Sequence, residues 1–291
     1  MNRIAAWILT PGNHILGSVP SAVAALLLVT LILSSIGFVR TVYFVGTGYA
    51  LSVAGAAYFS FVLFRSSGSP GALLHMFLVV LYGFRLAGYL ALRDRKGSYQ
   101  RERHATDAIY GNQNLPVRLG IWLGVSLLYV AMASPVLFHF AGLYALSRAT
   151  SNAGTGAGAV VVVGLVIGFV GLLFEWVADR QKASAKRRNP DSFCSGGVYR
   201  IVRYPNYLGD IVLWTGSFIA GVPYYDGIAQ WMISAAGLAA LVLIVVGAAR
   251  RLEEKQEQRY SGNPAFRKYV DSVPILIPFV RLYTLKNLKS N

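Results

Sequence analysis

Apolar runs of about 20 residues, long enough to cross the hydrocarbon core of a bilayer as helices, recur along this chain and restrict its fold more than any other feature. Seven such runs lie near residues 18–39, 42–64, 70–92, 118–140, 157–178, 206–223 and 228–249. In lipid every backbone N–H and C=O must find a partner inside the protein, so runs of this kind fold as helices. Charged residues make up 13% of the chain against 55% hydrophobic, where a soluble domain carries about 25% charged residues. The expected fold is all-α: a polytopic integral membrane protein with about seven transmembrane helices in a single membrane domain. The run near residue 21 has no clear small-residue cleavage site after it and is read as a span rather than a signal peptide. Pro135 is expected to kink or end the fourth run. Ser151 to Gly158 reads as a flexible loop, and its glycines follow no strand, so they make no dinucleotide fingerprint. Gly164, Gly168 and Gly171 place small residues on one helix face, the pattern of close helix packing.

The net charge of +15 is informative through its location. Basic residues collect at Arg40, between the third and fourth runs, between the fifth and sixth, and after the seventh. The other side carries only Arg3, Arg65 and Arg148, while Arg85 lies inside the third run. The positive-inside rule then puts the N-terminus outside and the C-terminus in the cytoplasm, as an odd number of spans requires. Charge so placed points to membrane orientation and lipid head groups, not to nucleic acid. Cys194 is the single cysteine and excludes a disulfide framework. The histidines, His14, His75, His104 and His139, are scattered with no ligand-like spacing, so no metal is expected.

Polar chemistry concentrates on the expected cytoplasmic face. Gly196 to Asp210 packs Arg200, Arg203, Tyr204, Asn206, Tyr207 and Asp210 between two apolar segments. Pro205 suits the first turn of a helix, which would set two cations just outside a helix N-terminus, where an anion is favoured. Asn206 and Asp210 share a face of that helix. A basic juxtamembrane loop is the alternative use of the same residues. Glu175 and Asp179 are also four apart, near the end of the fifth run; intramembrane carboxylates usually face an interior cavity, although Arg180 or Lys182 can pair with them structurally. Tyr82, Arg85 and Tyr89 form one stripe of the third run, and a phenol in an apolar pocket suits proton donation to a carbonyl oxygen. In the tail, Glu253 and Glu254 can orient Arg250 and Arg251, and Tyr260 and Tyr269 can stack on a planar ring. A tail lying on the membrane surface is the alternative.

In this order the motifs resemble one superfamily: the membrane steroid 5-alpha-reductases, the sterol carbon–carbon double-bond reductases, and a DUF1295-like bacterial branch. The resemblance rests on Phe174-Glu175 through Gln181, on Gly197 through Asp210, and on Glu253-Glu254 through Arg259-Tyr260 to Ile277-Pro278-Phe279. It is strong over about residues 170–280. It implies NADPH as cofactor, entering from the cytoplasm, and hydride delivery to the β carbon of an enone in a steroid-like or other lipid. Residues 1–150 then hold the substrate side, and residues 157–285 the cofactor-binding half. Glu175 and Asp179 match positions near the nicotinamide and ribose. Lys186, Arg200, Arg203, Asn206, Tyr207 and Asp210 match the cofactor-contacting loop and helix. Arg250, Arg251 and Glu254 fall around the adenosine phosphates, and Tyr260 and Tyr269 are counted with the cofactor-binding residues. Tyr82, with Arg85 beside it, matches the tyrosine that polarises the substrate carbonyl. The implied setting is a bacterial cell membrane, with a lipophilic substrate drawn from the bilayer and neither metal nor nucleic acid involved.

Two departures bear on substrate. Tyr204 stands where the superfamily often has histidine. The second run, Thr41 to Phe64, contains no acidic residue, whereas 5-alpha-reductases pair their tyrosine with a glutamate there, which argues against a 3-keto-4-ene steroid. Arg203-Tyr204-Pro205-Asn206-Tyr207 and Glu253-Glu254 also resemble the membrane isoprenylcysteine and phospholipid methyltransferases, which use S-adenosylmethionine. A non-enzymatic lipid-binding protein is the third reading.

Overall fold

The structure is a computed structural model that describes residues 19–95, 111, 113–149, 155–280 and 282–285. Among these residues helices are the only regular elements: α1 (Val19–Ser34), α2 (Thr47–Leu63), α3 (Pro70–Asp94), α4 (Leu115–Arg148), α5 (Thr155–Arg188), α6 (Pro205–Gly221), α7 (Ile228–Tyr260) and α8 (Pro264–Ser272), joined in places by short 3₁₀ turns. The helix starts follow the local sequence. Ser69, Asn114 and Asn263 each accept a backbone N–H of the first turn through the side-chain oxygen, and a proline occupies the first turn of α3, α4 and α8, where its missing N–H costs nothing.

Among the described residues five helical stretches are long and apolar enough to cross a membrane: Val19–Phe38, Pro70–Asp94, Leu115–Arg148, Gly156–Arg188 and Ile228–Tyr260. The chain is therefore an all-helical membrane protein. At the expected second and sixth crossings stand α2 and α6, each of 17 residues and so shorter than those five. The second run is shorter because Thr41–Phe44 forms a separate 3₁₀ turn before α2.

Two further expectations are corrected. Thr155 to Gly158 open α5 rather than extending a loop, and residues 151–154 lie outside the described residues. Of the two outcomes expected at Pro135, a kink or an end, α4 does not end there but runs on to Arg148. Proline removes the N–H that would serve the carbonyl four residues back, but the hydroxyl of Ser134 donates to that carbonyl, on Ala131, at 2.8 Å.

The chain divides into two compact units, one drawn from residues up to Leu165 with Ser217–Leu238, the other from Val166–Gly216 with Ala239 onward. In the first unit small polar side chains link apolar helices. Thr30 and Ser34 of α1 hydrogen-bond the Ser126 carbonyl and hydroxyl of α4, and Trp122 donates to the Leu31 carbonyl. Gly83 of α3 lets the α2 backbone approach: a Cβ there would lie 2.4 Å from the Ala50 carbonyl oxygen. Two of the histidines that look scattered in sequence, His75 and His139, meet in this interior, while His14 and His104 lie outside the described residues. His75 Nδ1 and His139 Nδ1 are 3.2 Å apart, His75 Nε2 lies 2.8 Å from Ser217 Oγ, and His139 stacks on Tyr224.

Candidate functional site

The second unit is built around the loop between α5 and α6. Gly197 sits at φ +62 with Gln181 against the place a side chain would occupy, so the turn needs glycine. Gln181 in turn accepts the Val198 N–H at 2.9 Å. Tyr199 is buried, donates to the Ala178 carbonyl, and accepts at its own carbonyl from the Tyr269 hydroxyl. Further on, the backbone N–H groups of Arg203 and Tyr204 donate to the carbonyls of Pro274 and Ile275. The loop is thus fastened on α5, on α8 and on the C-terminal segment before α6 starts at Pro205.

The next contact joins α6 to α5. A Cβ at Gly209 would lie 2.7 Å from Glu175 Cβ and 2.8 Å from Glu175 N, and one at Gly171 would lie 2.4 Å from Leu213 N. Backbone meets backbone here, which sets buried Glu175 (3% exposed) against the helix that carries Asn206 and Asp210 on one face. Both of those residues and Asp179 are half-buried. Arg180 stacks its guanidinium over Trp176 at 4.3 Å.

The remaining sequence-nominated residues divide by exposure. Arg200 ends a 3₁₀ turn and is exposed, as is Arg251. Arg250 is half-buried and lies 3.4 Å from Glu254. Tyr207 packs its ring against Tyr204. Lys186 donates to the carbonyls of Pro190 and Ser192 and to the Tyr260 hydroxyl, so it clasps the loop. Arg203, expected at the cofactor phosphates, is turned inward: at 3% exposure it donates to the Tyr283 carbonyl and lies 3.5 Å from Glu253. Glu253 also accepts the Leu285 N–H at 3.0 Å. Tyr269, expected to stack on a ligand ring, packs instead against Phe193 in a cluster with Phe266. A cavity of about 400 Å³ opens beside Arg203, lined among others by Glu257, Phe266, Arg267, Asp271 and Tyr283.

Burial holds the phenols of Tyr204 and Tyr269 above the ordinary tyrosine range, since the ionised form is poorly solvated there. A group whose folded pKa is raised contributes stability that is complete below its unfolded value and lost as pH climbs past it. Stability of the second unit is accordingly expected to fall above about pH 10, the unperturbed tyrosine value. Tyrosinate absorbance should show a late component accompanying unfolding, diminished in Tyr204→Phe and in Tyr269→Phe; ionisation of both without loss of structure would contradict the burial.

In the first unit Tyr82 is 1% exposed, and Arg85 and Tyr89 on the same helix are half-buried. The Tyr82 hydroxyl lies 3.0 Å from that of Tyr49 on α2. Tyr49 rests on Tyr129, whose hydroxyl donates to the Phe44 carbonyl. Sequence reading missed Tyr49, because it sought an acid in that run and the partner is a phenol.

Fold and site define a helical membrane protein whose second unit contains a tightly fastened, arginine-bearing loop and helix start. Residues 29–273 match the family described as protein of unknown function (DUF1295), and the chain belongs to that family. It has no significant match among curated proteins or solved structures.

Proposed function

We propose that this protein is an NADPH-dependent membrane reductase that saturates the conjugated carbon–carbon double bond of a lipophilic enone. The observation that carries the reading is the fastened loop and α6 start. It leaves Arg200 exposed ahead of a helix whose first turns bear Asn206 and Asp210, with Glu175 and Asp179 on the adjoining α5. The superfamily resemblance of these same motifs supports it. The donor set fits a phosphate-bearing dinucleotide: Arg200, Arg250 and Arg251 suit phosphate oxygens, and the positive end of the α6 dipole favours the same charge. Asn206, Asp179 and Asp210 suit ribose hydroxyls and a carboxamide. Arg203, Lys186 and Tyr269 keep this surface in shape from behind.

When bound, NADPH supplies the hydride. The chain's own part is to hold an electrophile at the substrate carbonyl, carried by Tyr82 and Arg85 on α3, so that charge developing on oxygen meets a hydrogen-bond donor. The reading takes the C-terminal tail as cytoplasmic in a bacterial cell membrane, with about seven crossings and the substrate entering from the bilayer.

The test is thermal stability of the detergent-purified protein with NADPH, NADH or S-adenosylmethionine. A ligand bound only by the folded state adds about 2.7 kcal/mol at a hundredfold excess over Kd. NADPH is expected to raise Tm, and Asn206→Ala or Asp210→Ala to remove the rise. Stabilisation by S-adenosylmethionine and not NADPH would overturn the reductase in favour of a methyltransferase.

A further inference from the structure

We infer that the turn at residues 277–280 is an interfacial membrane anchor, with Phe279 as the side chain set among the lipids. The inference goes beyond the reductase reading and does not depend on it. The base of the turn is closed and buried. Ile275 and Leu276 have almost no exposed surface, and the Ile275 N–H donates to the Leu282 carbonyl at 2.9 Å. The tip is bare: Phe279 is 99% exposed, and Ile277 and Val280 beside it are half exposed. A single apolar residue on a surface needs no explanation, but a group of them at one tip marks contact with a membrane or a protein. Phe279 also holds φ +64, the one positive φ outside glycine among the described residues. A bulky L residue rarely adopts that left-handed backbone, and glycine adopts it freely. Strain kept at an exposed site points to a role for the side chain.

The level of the turn selects the membrane as its partner. Within the second unit, the apolar runs of α5, α6 and α7 meet polar sequence near residues 178, 206 and 249, which marks one edge of the hydrocarbon on each helix. The C-terminal segment is bonded at that edge. The Pro274 and Ile275 carbonyls accept the N–H groups of Arg203 and Tyr204, directly before α6 opens at Pro205. Leu285 donates to Glu253, which stands four residues past the apolar run of α7, about 6 Å along the helix. The turn between these two attachments therefore leaves the protein at the depth of the lipid head groups. Apolar residues of interfacial segments enter the boundary between head groups and acyl chains. The sequence supplies matching charge, since Arg281, Lys286 and Lys289 follow the tip and basic residues are drawn to anionic head groups. Anchored there, the turn holds the C-terminal segment, and with it the buried pair of Arg203 and Glu253, at the membrane surface.

The experiment uses the full-length chain with Cys194→Ser, carrying one nitroxide label, in nanodiscs of phosphatidylcholine and phosphatidylglycerol. Accessibility to oxygen, which concentrates in lipid, and to a water-soluble nickel chelate reads the depth of each label. Leu243→Cys, at a position 73% exposed within the apolar run of α7, marks lipid. Gln258→Cys, exposed and beyond the end of that run, marks water. The label at Phe279→Cys is expected about 5–10 Å into the head-group and acyl boundary, with those at Ile277→Cys and Val280→Cys shallower. Phe279→Gly keeps the left-handed backbone without the ring, so the label at Val280→Cys should then shift toward water; an unchanged depth would take the anchoring role from Phe279. A label at 279 as open to nickel as that at 258 would overturn the anchor and leave the tip to a soluble partner. Dipolar broadening between labels at 279, with neither reagent reaching them, would overturn it in favour of a second copy. The Leu243→Cys label separates the levels. If it reads as aqueous, the membrane placement fails together with the anchor, and if it reads as lipid while 279 stands in water, the anchor alone fails.

Discussion

Arg203→Met is expected to cost about 3–5 kcal/mol of stability, the range for breaking a buried ion pair from one side. The side chain is 2% exposed, its partner Glu253 is 6% exposed, and their charged atoms approach to 3.5 Å. Glu253 also fixes the Leu285 N–H, and Arg203 holds the Tyr283 carbonyl, so the pair closes the C-terminal segment onto the start of α6. Methionine fills similar space but leaves the Glu253 carboxylate buried without the Arg203 charge. Thermal unfolding followed by near-UV circular dichroism measures the loss. The double variant Arg203→Met/Glu253→Met should recover most of it, because no lone charge is then left inside, and the cycle isolates the coupling. Arg200→Met, three residues earlier and exposed, should stay within about 0.5 kcal/mol of wild type in stability while weakening the NADPH response. A loss below 1 kcal/mol for Arg203→Met would mean that the pair does not hold the segment.

That contrast also shows where sequence reading stops. Arg200 and Arg203 look alike in sequence, two cations ahead of a proline. The difference comes from Pro274, Ile275, Tyr283 and Glu253, which fold back from a distant part of the chain, and no local pattern encodes that return. Long apolar runs, Pro205 opening a helix, and the helical placement of Glu175 with Asp179 and Asn206 with Asp210 were legible, because each depends on periodicity or on a local backbone rule. The helix through Pro135 was not, since it turns on Ser134 serving the carbonyl that proline abandons. Neither were the pairings of Tyr49 with Tyr82 and His75 with His139, which join residues 33 and 64 positions apart. Hydrophobic patterning says that such polar residues lie among apolar neighbours, but only packing decides which of them meet.

Gly171→Ala is expected to destabilise the second unit by up to about 3 kcal/mol, the upper range for overpacking, although it adds one methyl group to a residue inside a helix. On an open helix face the same change stabilises by about 0.5–1 kcal/mol, since alanine loses less backbone entropy. Gly88, Gly120 and Gly124 meet nothing within 4 Å, so alanine there should show that gain. At Gly171 the new carbon would lie 2.4 Å from Leu213 N and 2.7 Å from the Gly209 carbonyl oxygen. Those are main-chain atoms of α6 and cannot rotate away, so the helices must separate. Gly209→Ala meets the Glu175 backbone from the other side at 2.8 Å, and the two changes share one contact. Their costs should therefore be less than additive, because helices already parted by the first methyl have room for the second. Function should follow stability for the same reason. The close approach sets Glu175 beside the helix of Asn206 and Asp210, so folded Gly209→Ala protein should lose most of its NADPH-induced rise in Tm, while Gly124→Ala keeps it. Full retention of that rise in Gly209→Ala would separate the helix contact from the cofactor site and leave it a packing feature alone.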